Sequence, residues 1–149
     1  MIFKRDIEEN PDLNFRSKKI RPIKGEEPEM QLLFRHLTTE EIEVNEEGST
    51  YCKRVFEKER SQRLHWIRYH LEEHKKDNIE IFSVKTRDQK KRQDIIRTYI
   101  YDKEQKYVIV LDPHRSRRDY YLLTAYHLNK GYGEKQLLKK LKNKLSDIQ

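Results

Sequence analysis

Arg60, Arg63 and His65 lie within two turns of chain, and Thr124 and Tyr126 sit two residues apart near the C-terminal end. These residue types suit attack of an RNA 2′-hydroxyl on its neighbouring phosphate. That step needs a base with a pKa near neutrality, an acid for the leaving 5′-oxygen, and cations or hydroxyls around the phosphorus. Histidine, with an unperturbed pKa of about 6.5, suits the proton transfers. Arg60 and Arg63 suit the phosphate, Thr124 its positioning, and Tyr126 donation of a hydrogen bond or proton. His114 and His127 are rival histidines for the base. Candidate substrate-binding residues are Arg97 and the run His114-Arg115-Ser116-Arg117-Arg118, whose guanidinium groups can each donate two parallel hydrogen bonds to phosphate. Every one of these residues also has a plainer reading. His65 can be surface, Thr124 a partner for a backbone group, Tyr126 core, and the arginine run an exposed loop tip.

Other chemistries lack their residues. Four glycines are too few and too scattered for a phosphate-cradling loop. No Cys/His zinc spacing occurs. Carboxylates in the basic half are dispersed, so no multi-carboxylate magnesium site is expected. Neither a metal nor a cofactor is expected. The lone Cys52 excludes an intramolecular disulfide and reads as a filler in a reducing compartment.

The elements that must position these residues are read from periodicity. Residues 1–30 read as an arm punctuated by Pro11, Pro22, Gly25 and Pro28, one that either wraps over the domain or is partly disordered. Residues 31–149 read as a single domain. Met30–Leu37 is a short apolar patch, and Thr38 with Glu41 fits a helix capping box, although Glu41–Asn45 competes as a strand. Tyr51–Glu73 reads as the strongest helix, with Phe56, Arg60, Leu64, Ile67 and Leu71 on one stripe. Four strands are expected as an antiparallel meander at Ile79–Val84, Ile95–Tyr101, Lys106–Asp112 and Tyr120–His127, with a basic loop over Thr86–Asp94. Strand alternation points Tyr120, Leu122, Thr124 and Tyr126 to one face. Glu134–Leu145 reads as a final amphipathic helix with lysines outside. The expected class is α+β: N-terminal helices packed on a four-stranded antiparallel sheet, with a C-terminal helix.

Composition sets the setting. With 34% hydrophobic and 40% charged residues, the core must be small and the surface densely charged. Residues 1–49 hold 8 Lys and Arg against 12 Asp and Glu, whereas residues 50–149 hold 25 against 14. The basic part could attract a polyanion such as nucleic acid, or serve solvation alone. No apolar run reaches the length of a membrane span, and no secretory leader is read.

The segment Glu59-Arg60-Ser61-Gln62-Arg63-Leu64-His65-Trp66-Ile67, followed by a strand ending Tyr99-Ile100-Tyr101, then Tyr107–Leu111 and Tyr121-Leu122-Leu123-Thr124-Ala125-Tyr126, resembles the phage- and toxin-associated nuclease domains of the barnase–EndoU–colicin–RelE-like (BECR) class. The resemblance covers roughly residues 56–128. It implies a metal-independent endoribonuclease that cleaves RNA to a 2′,3′-cyclic phosphate, with functional positions at Arg60, Arg63, Arg97, Thr124 and Tyr126. His65 stands where similar sequences often have proline. Expected partners are RNA, tRNA among them, and an immunity protein or phage structural protein, with no membrane. The expected location is the cytoplasm of a bacterial host, or phage-associated. A non-catalytic phage protein that binds nucleic acid, or a capsid or packaging partner, is the alternative.

Overall fold

A computed structural model describes residues 2–10, 13–16, 18–22, 29–113, 119–128 and 131–149. A six-stranded mixed sheet runs through the molecule, made from β1 (Asn14–Phe15), β2 (Lys18–Pro22), β5 (Ile79–Asp88), β6 (Gln93–Asp102), β7 (Tyr107–Pro113) and β8 (Asp119–His127). Its order is β1-β2-β8-β7-β6-β5. A separate two-stranded sheet pairs β3 (Thr39–Glu46) with β4 (Ser49–Phe56). The helices are α1 (Glu29–Thr38), α2 (Lys58–Gln62), α3 (Leu64–Leu71) and α4 (Gly131–Lys142), with a single π-turn at Lys4–Glu8.

This corrects the expected class of N-terminal helices on a four-stranded sheet. The four meander strands β5 to β8 pair antiparallel in sequence order, but they are joined by two more from the N-terminal arm. β2 lies parallel to β8, with Lys19 opposite Asp119 and Pro22 opposite Leu122. The arm's sparse apolar residues are the reason: Phe3, Ile7, Leu13, Phe15 and Ile20 are all buried in the main core. They drive the segment onto the sheet by hydrophobic burial, worth about 1.5–3 kcal/mol for each large side chain.

The expected long helix is also redrawn. Residues 51–56 belong to β4, and only Lys58–Gln62 and Leu64–Leu71 are helical. Phe56, the first member of the supposed stripe, is 70% exposed on the strand. Leu64, Ile67 and Leu71 form the true buried stripe of α3. The Thr38–Glu41 box does not start a helix, because α1 ends at Thr38 and β3 begins at Thr39. Thr38 Oγ1 instead donates back to the Phe34 carbonyl at 2.8 Å.

The sheet has two covered faces. On one, Leu33 and Leu37 of α1 and Leu64, Ile67 and Leu71 of α3 pack on Ile100, Tyr107, Ile109, Leu111 and Leu122. On the other, Leu137 of α4 packs against Phe82, Tyr99, Tyr101, Val108 and Val110. The alternation of Tyr107, Ile109 and Leu111 with Val108 and Val110 along β7 divides one strand between the two cores.

One polar cluster ties α3 to the β6–β7 turn. His70 places Nε2 2.9 Å from Asp102 Oδ2 and Nδ1 2.7 Å from the Trp66 carbonyl. Lys75 Nζ donates to both Asp102 oxygens at 3.0 Å. The Glu104 and Gln105 backbone N–H groups donate to Asp102 Oδ1 at 3.1 and 3.0 Å. Asp102 is fully buried and its acceptor sites are well used. Among the described residues, no helix is long and apolar enough to cross a membrane.

Candidate functional site

β2 runs out at Pro22 opposite Leu122, so the outer edge of β8 beyond that point is met by α1 and α2. Arg60, on α2, sits at this junction. Its Nη1 donates to the His36 carbonyl at 3.1 Å and to the Thr39 carbonyl at 2.8 Å. The His36 carbonyl lies in the last turn of α1, where backbone acceptors lack helical partners and the helix dipole favours a cation, and Thr39 is the first residue of β3. Thr124 Oγ1 donates to the same His36 carbonyl at 3.3 Å. The Arg60 guanidinium carbon lies 5.5 Å from the Tyr126 ring centre. Glu57 fixes the start of α2 by accepting the Arg60 backbone N–H at 2.8 Å. Arg60, Thr124 and Tyr126, far apart in sequence, therefore meet.

Beside them is a cleft of 220 Å³, whose walls include Glu40, Glu57, Arg60, Tyr126, His127 and Lys140. Burial, then the charge of Arg54, pulls the Arg60 guanidinium below its usual value, against Glu57, Glu40 and Tyr126. The group remains a cation. Burial pushes the Tyr126 hydroxyl up to about 12, with Tyr99 adding to the rise and Arg60 opposing it. It is thus a proton and hydrogen-bond donor at neutral pH. Lys140 donates to the Tyr99 hydroxyl at 3.1 Å, which holds its ammonium at the cleft wall. The residues lining the cleft therefore include His127, the neutral phenol of Tyr126, two cations and two carboxylates.

The remaining expected residues are spread out. Arg63 precedes α3 and its guanidinium carbon lies 5.1 Å over the Trp66 ring. Its carbonyl accepts from the Tyr107 hydroxyl at 3.4 Å. Burial drives that hydroxyl far above its ordinary value, opposed by the charges of Arg63 and Arg60. His65 is exposed and lines a different cavity, of 480 Å³, with Arg5, Trp66 and Tyr69. Arg97 pairs with Asp112 at 3.2 Å. It lies four residues along β6 from Tyr101, which shares a row with Val108 and Tyr126, so it is about 13 Å from that row. His114, Arg115, Arg117 and Arg118 lie outside the described residues.

The expected common face of β8 does not hold. Val110 is opposite Thr124 but Leu111 is opposite Leu122, so Leu123 is an extra residue, a β-bulge. Tyr120 and Leu122 point into the core shared with α1 and α3, whereas Tyr126 packs on the α4 side. Bulges re-aim side chains beside functional sites.

Sequence reasoning placed His127 only as a rival histidine and missed Lys140, Glu40 and Glu57. His127 follows Tyr126 directly, which was the available signal. Lys140 looked like one more lysine on an outer face, yet it neighbours Leu141 and follows Leu137 by three residues, at the edge of the buried stripe. Among the described residues no group of three or more His, Cys, Asp or Glu side chains is arranged to hold a metal ion. In comparisons with known proteins, no family model, no curated protein and no solved structure matches the chain.

Proposed function

We propose that the protein is a metal-independent endoribonuclease, acting at the cleft between β8, α2 and α4. The observation that carries this reading is the convergence of Arg60, Tyr126, His127 and Lys140 on one 220 Å³ space. In the proposed reaction His127 takes the proton of the RNA 2′-hydroxyl. The 2′-oxygen bonds to phosphorus, the bond from phosphorus to the 5′-oxygen breaks, and the leaving oxygen takes the Tyr126 proton. Arg60 and Lys140 balance the charge on the phosphorane. Thr124 supports Arg60 through the His36 carbonyl that both groups use. The products are a 2′,3′-cyclic phosphate and a free 5′-hydroxyl. DNA lacks the internal nucleophile and is not a substrate.

The test is incubation of the purified protein with total tRNA and with a mixed-sequence RNA in EDTA, beside His127→Ala and Tyr126→Phe. Cyclic phosphate ends are expected, with each variant slowed about 10²–10⁴-fold, the usual contribution of a general acid or base. RNA binding should change far less. Unchanged rates in both variants would remove the cleft from the chemistry.

A second reading has its own observation. Arg60 spends Nη1 on two backbone carbonyls, as a structural staple does. On that reading the protein is a non-catalytic phage protein that binds nucleic acid, or a capsid or packaging partner. Salt-sensitive RNA binding with no cleavage in EDTA or in magnesium favours it.

A further inference from the structure

The expected basic loop over Thr86–Asp94 is instead a projecting ribbon. β5 continues to Asp88 and β6 starts at Gln93, with Lys85 opposite Ile96, Thr86 opposite Ile95, Arg87 opposite Asp94 and Asp88 opposite Gln93. The pairing of β6 with β7 begins only at Thr98. The outer four rungs therefore carry no third strand among the described residues and extend the ribbon by about 13 Å.

The tip is built rather than loose. Asp88 Oδ1 accepts the backbone N–H groups of Lys90 and Lys91 at 3.0 and 3.1 Å. Such a side-chain-to-backbone turn fixes the chain locally. Arg92 adopts a positive φ of 51°, closing the turn. Lys85, Arg87, Lys90, Lys91 and Arg92 are all exposed. Only Asp88 and Asp94 oppose these five cations within residues 85–94. Asp94 engages Lys85 and Arg87, each at 3.5 Å, which leaves the consecutive Lys90, Lys91 and Arg92 as the cationic end. From the row of Tyr126 to this end the distance along the sheet is about 30 Å.

We propose that this ribbon is a phosphate-binding arm that grips the helical stem of a structured RNA while the cleft engages a segment beyond the stem. The inference rests on the RNA reading of the cleft. Double-stranded RNA is recognised chiefly by its shape, its phosphates and its 2′-hydroxyls, and a rigid stem spans the separation between arm and cleft without being stretched. Cations on a fixed turn meet backbone phosphates at little ordering cost. The substrate class is accordingly RNA with a stem next to the cleaved strand, rather than short single strands.

The experiment compares wild type with Lys90→Gln/Lys91→Gln/Arg92→Asn, asparagine being chosen because it tolerates positive φ. Lys90→Gln/Lys91→Gln serves as a second variant that leaves Arg92 in place. Binding to a stem–loop RNA is measured between 50 and 200 mM salt, and cleavage is measured on that RNA and on a dinucleotide. The triple variant should bind the stem–loop at least tenfold more weakly, and its log–log salt slope should fall by about 2–3, close to one for each phosphate no longer neutralised. The double variant should lose about 1–2 of that slope. KM for the stem–loop should rise with kcat retained, and dinucleotide cleavage should be unchanged. An unchanged slope and affinity in both variants overturns the arm, whether or not RNA is cut. A reduced slope in a protein that cuts neither substrate keeps the arm and removes the nuclease reading instead.

Discussion

Asp102 is the residue on which the β6–β7 turn and α3 both depend. Burial would raise its carboxyl pKa, but the hydrogen bonds from His70, the Gln105 backbone and Lys75 outweigh burial, and the group is held below its ordinary value. A carboxyl lowered on folding adds stability that is complete above its unfolded pKa of about 4 and is lost as pH falls through the folded value. Urea titrations should therefore show a loss of stability below about pH 4 that Asp102→Asn lacks. At neutral pH that variant should cost about 3 kcal/mol, because it leaves His70 and Lys75 without their carboxylate in a buried setting. Arg60 belongs to the same scale. Arg60→Ala strips the His36 and Thr39 carbonyls of a charged donor and should lower stability by about 1–3 kcal/mol. The rate on RNA should fall further than unfolding explains, which thermal melts beside turnover assays will separate. Arg60, Thr124 and Tyr126 stood out in the sequence because their types are unusual in apolar rows, and the structure brings them together. Asp102 did not stand out, since a turn aspartate looks the same in sequence whether it faces water or a buried histidine.

The β3–β4 hairpin shows how an element can be misread. Thr50, Tyr51, Val55 and Phe56 are β-branched or aromatic and fit a strand. Their extrapolation into the stripe of α3 hid that signal, because Phe56 falls at a helical interval from Arg60 and Leu64. Glu47 and Gly48 both have positive φ, at 51° and 80°, in the two-residue loop between Glu46 and Ser49. That is the pattern of a type I′ turn, which matches the twist of the strands it joins. Gly48→Val should destabilise the hairpin by about 1–2 kcal/mol, since a β-branched residue resists this backbone region. Glu47→Asn should strengthen it. Amide hydrogen exchange over residues 39–56 is the direct readout, with the six-stranded sheet as the internal reference. By contrast β5 to β8 were legible, since each has dense β-branched and aromatic runs bounded by turns.

At the scale of the whole molecule, the parts hidden from sequence are those made by distant pairing. β2 and β8 lie parallel although about a hundred residues separate them. Nothing local in Lys18–Pro22 announces a partner, and an arm with three prolines reads as irregular. The C-terminal segment behaves similarly. The Leu145 N–H donates to the Ser83 carbonyl at 2.7 Å on the edge strand β5, and the Gln149 N–H donates to Ser83 Oγ at 2.9 Å. The Gln149 carbonyl then accepts from Tyr120 at 2.6 Å and from Lys18 at 3.2 Å. The segment thus leaves α4 on one face, crosses the edge and fastens to the other. Removing residues 146–149 should lower stability by about 1–3 kcal/mol, or several degrees in Tm by calorimetry.

The extra residue in β8 has a consequence of another kind. A strand is read two residues at a time, like a code with a period of two, and Leu123 is a frameshift written into it. Upstream of Leu123, Tyr120 and Leu122 are in frame with the helix-covered core. Downstream, Ala125 faces that core although it stands three residues from Leu122. Deleting Leu123 would restore the frame: Leu122, Thr124, Ala125 and Tyr126 would then stand opposite Leu111, Val110, Ile109 and Val108 in turn, and both halves of the strand would keep their sides. What the deletion would take away is the Leu123 side chain, which packs on the α4 side with Tyr126, and the local bend that a bulge puts into a strand. An insertion at position 123, which adds a second unpaired residue, should therefore be tolerated less well than deletion of Leu123, a difference that thermal melts of the two variants will show.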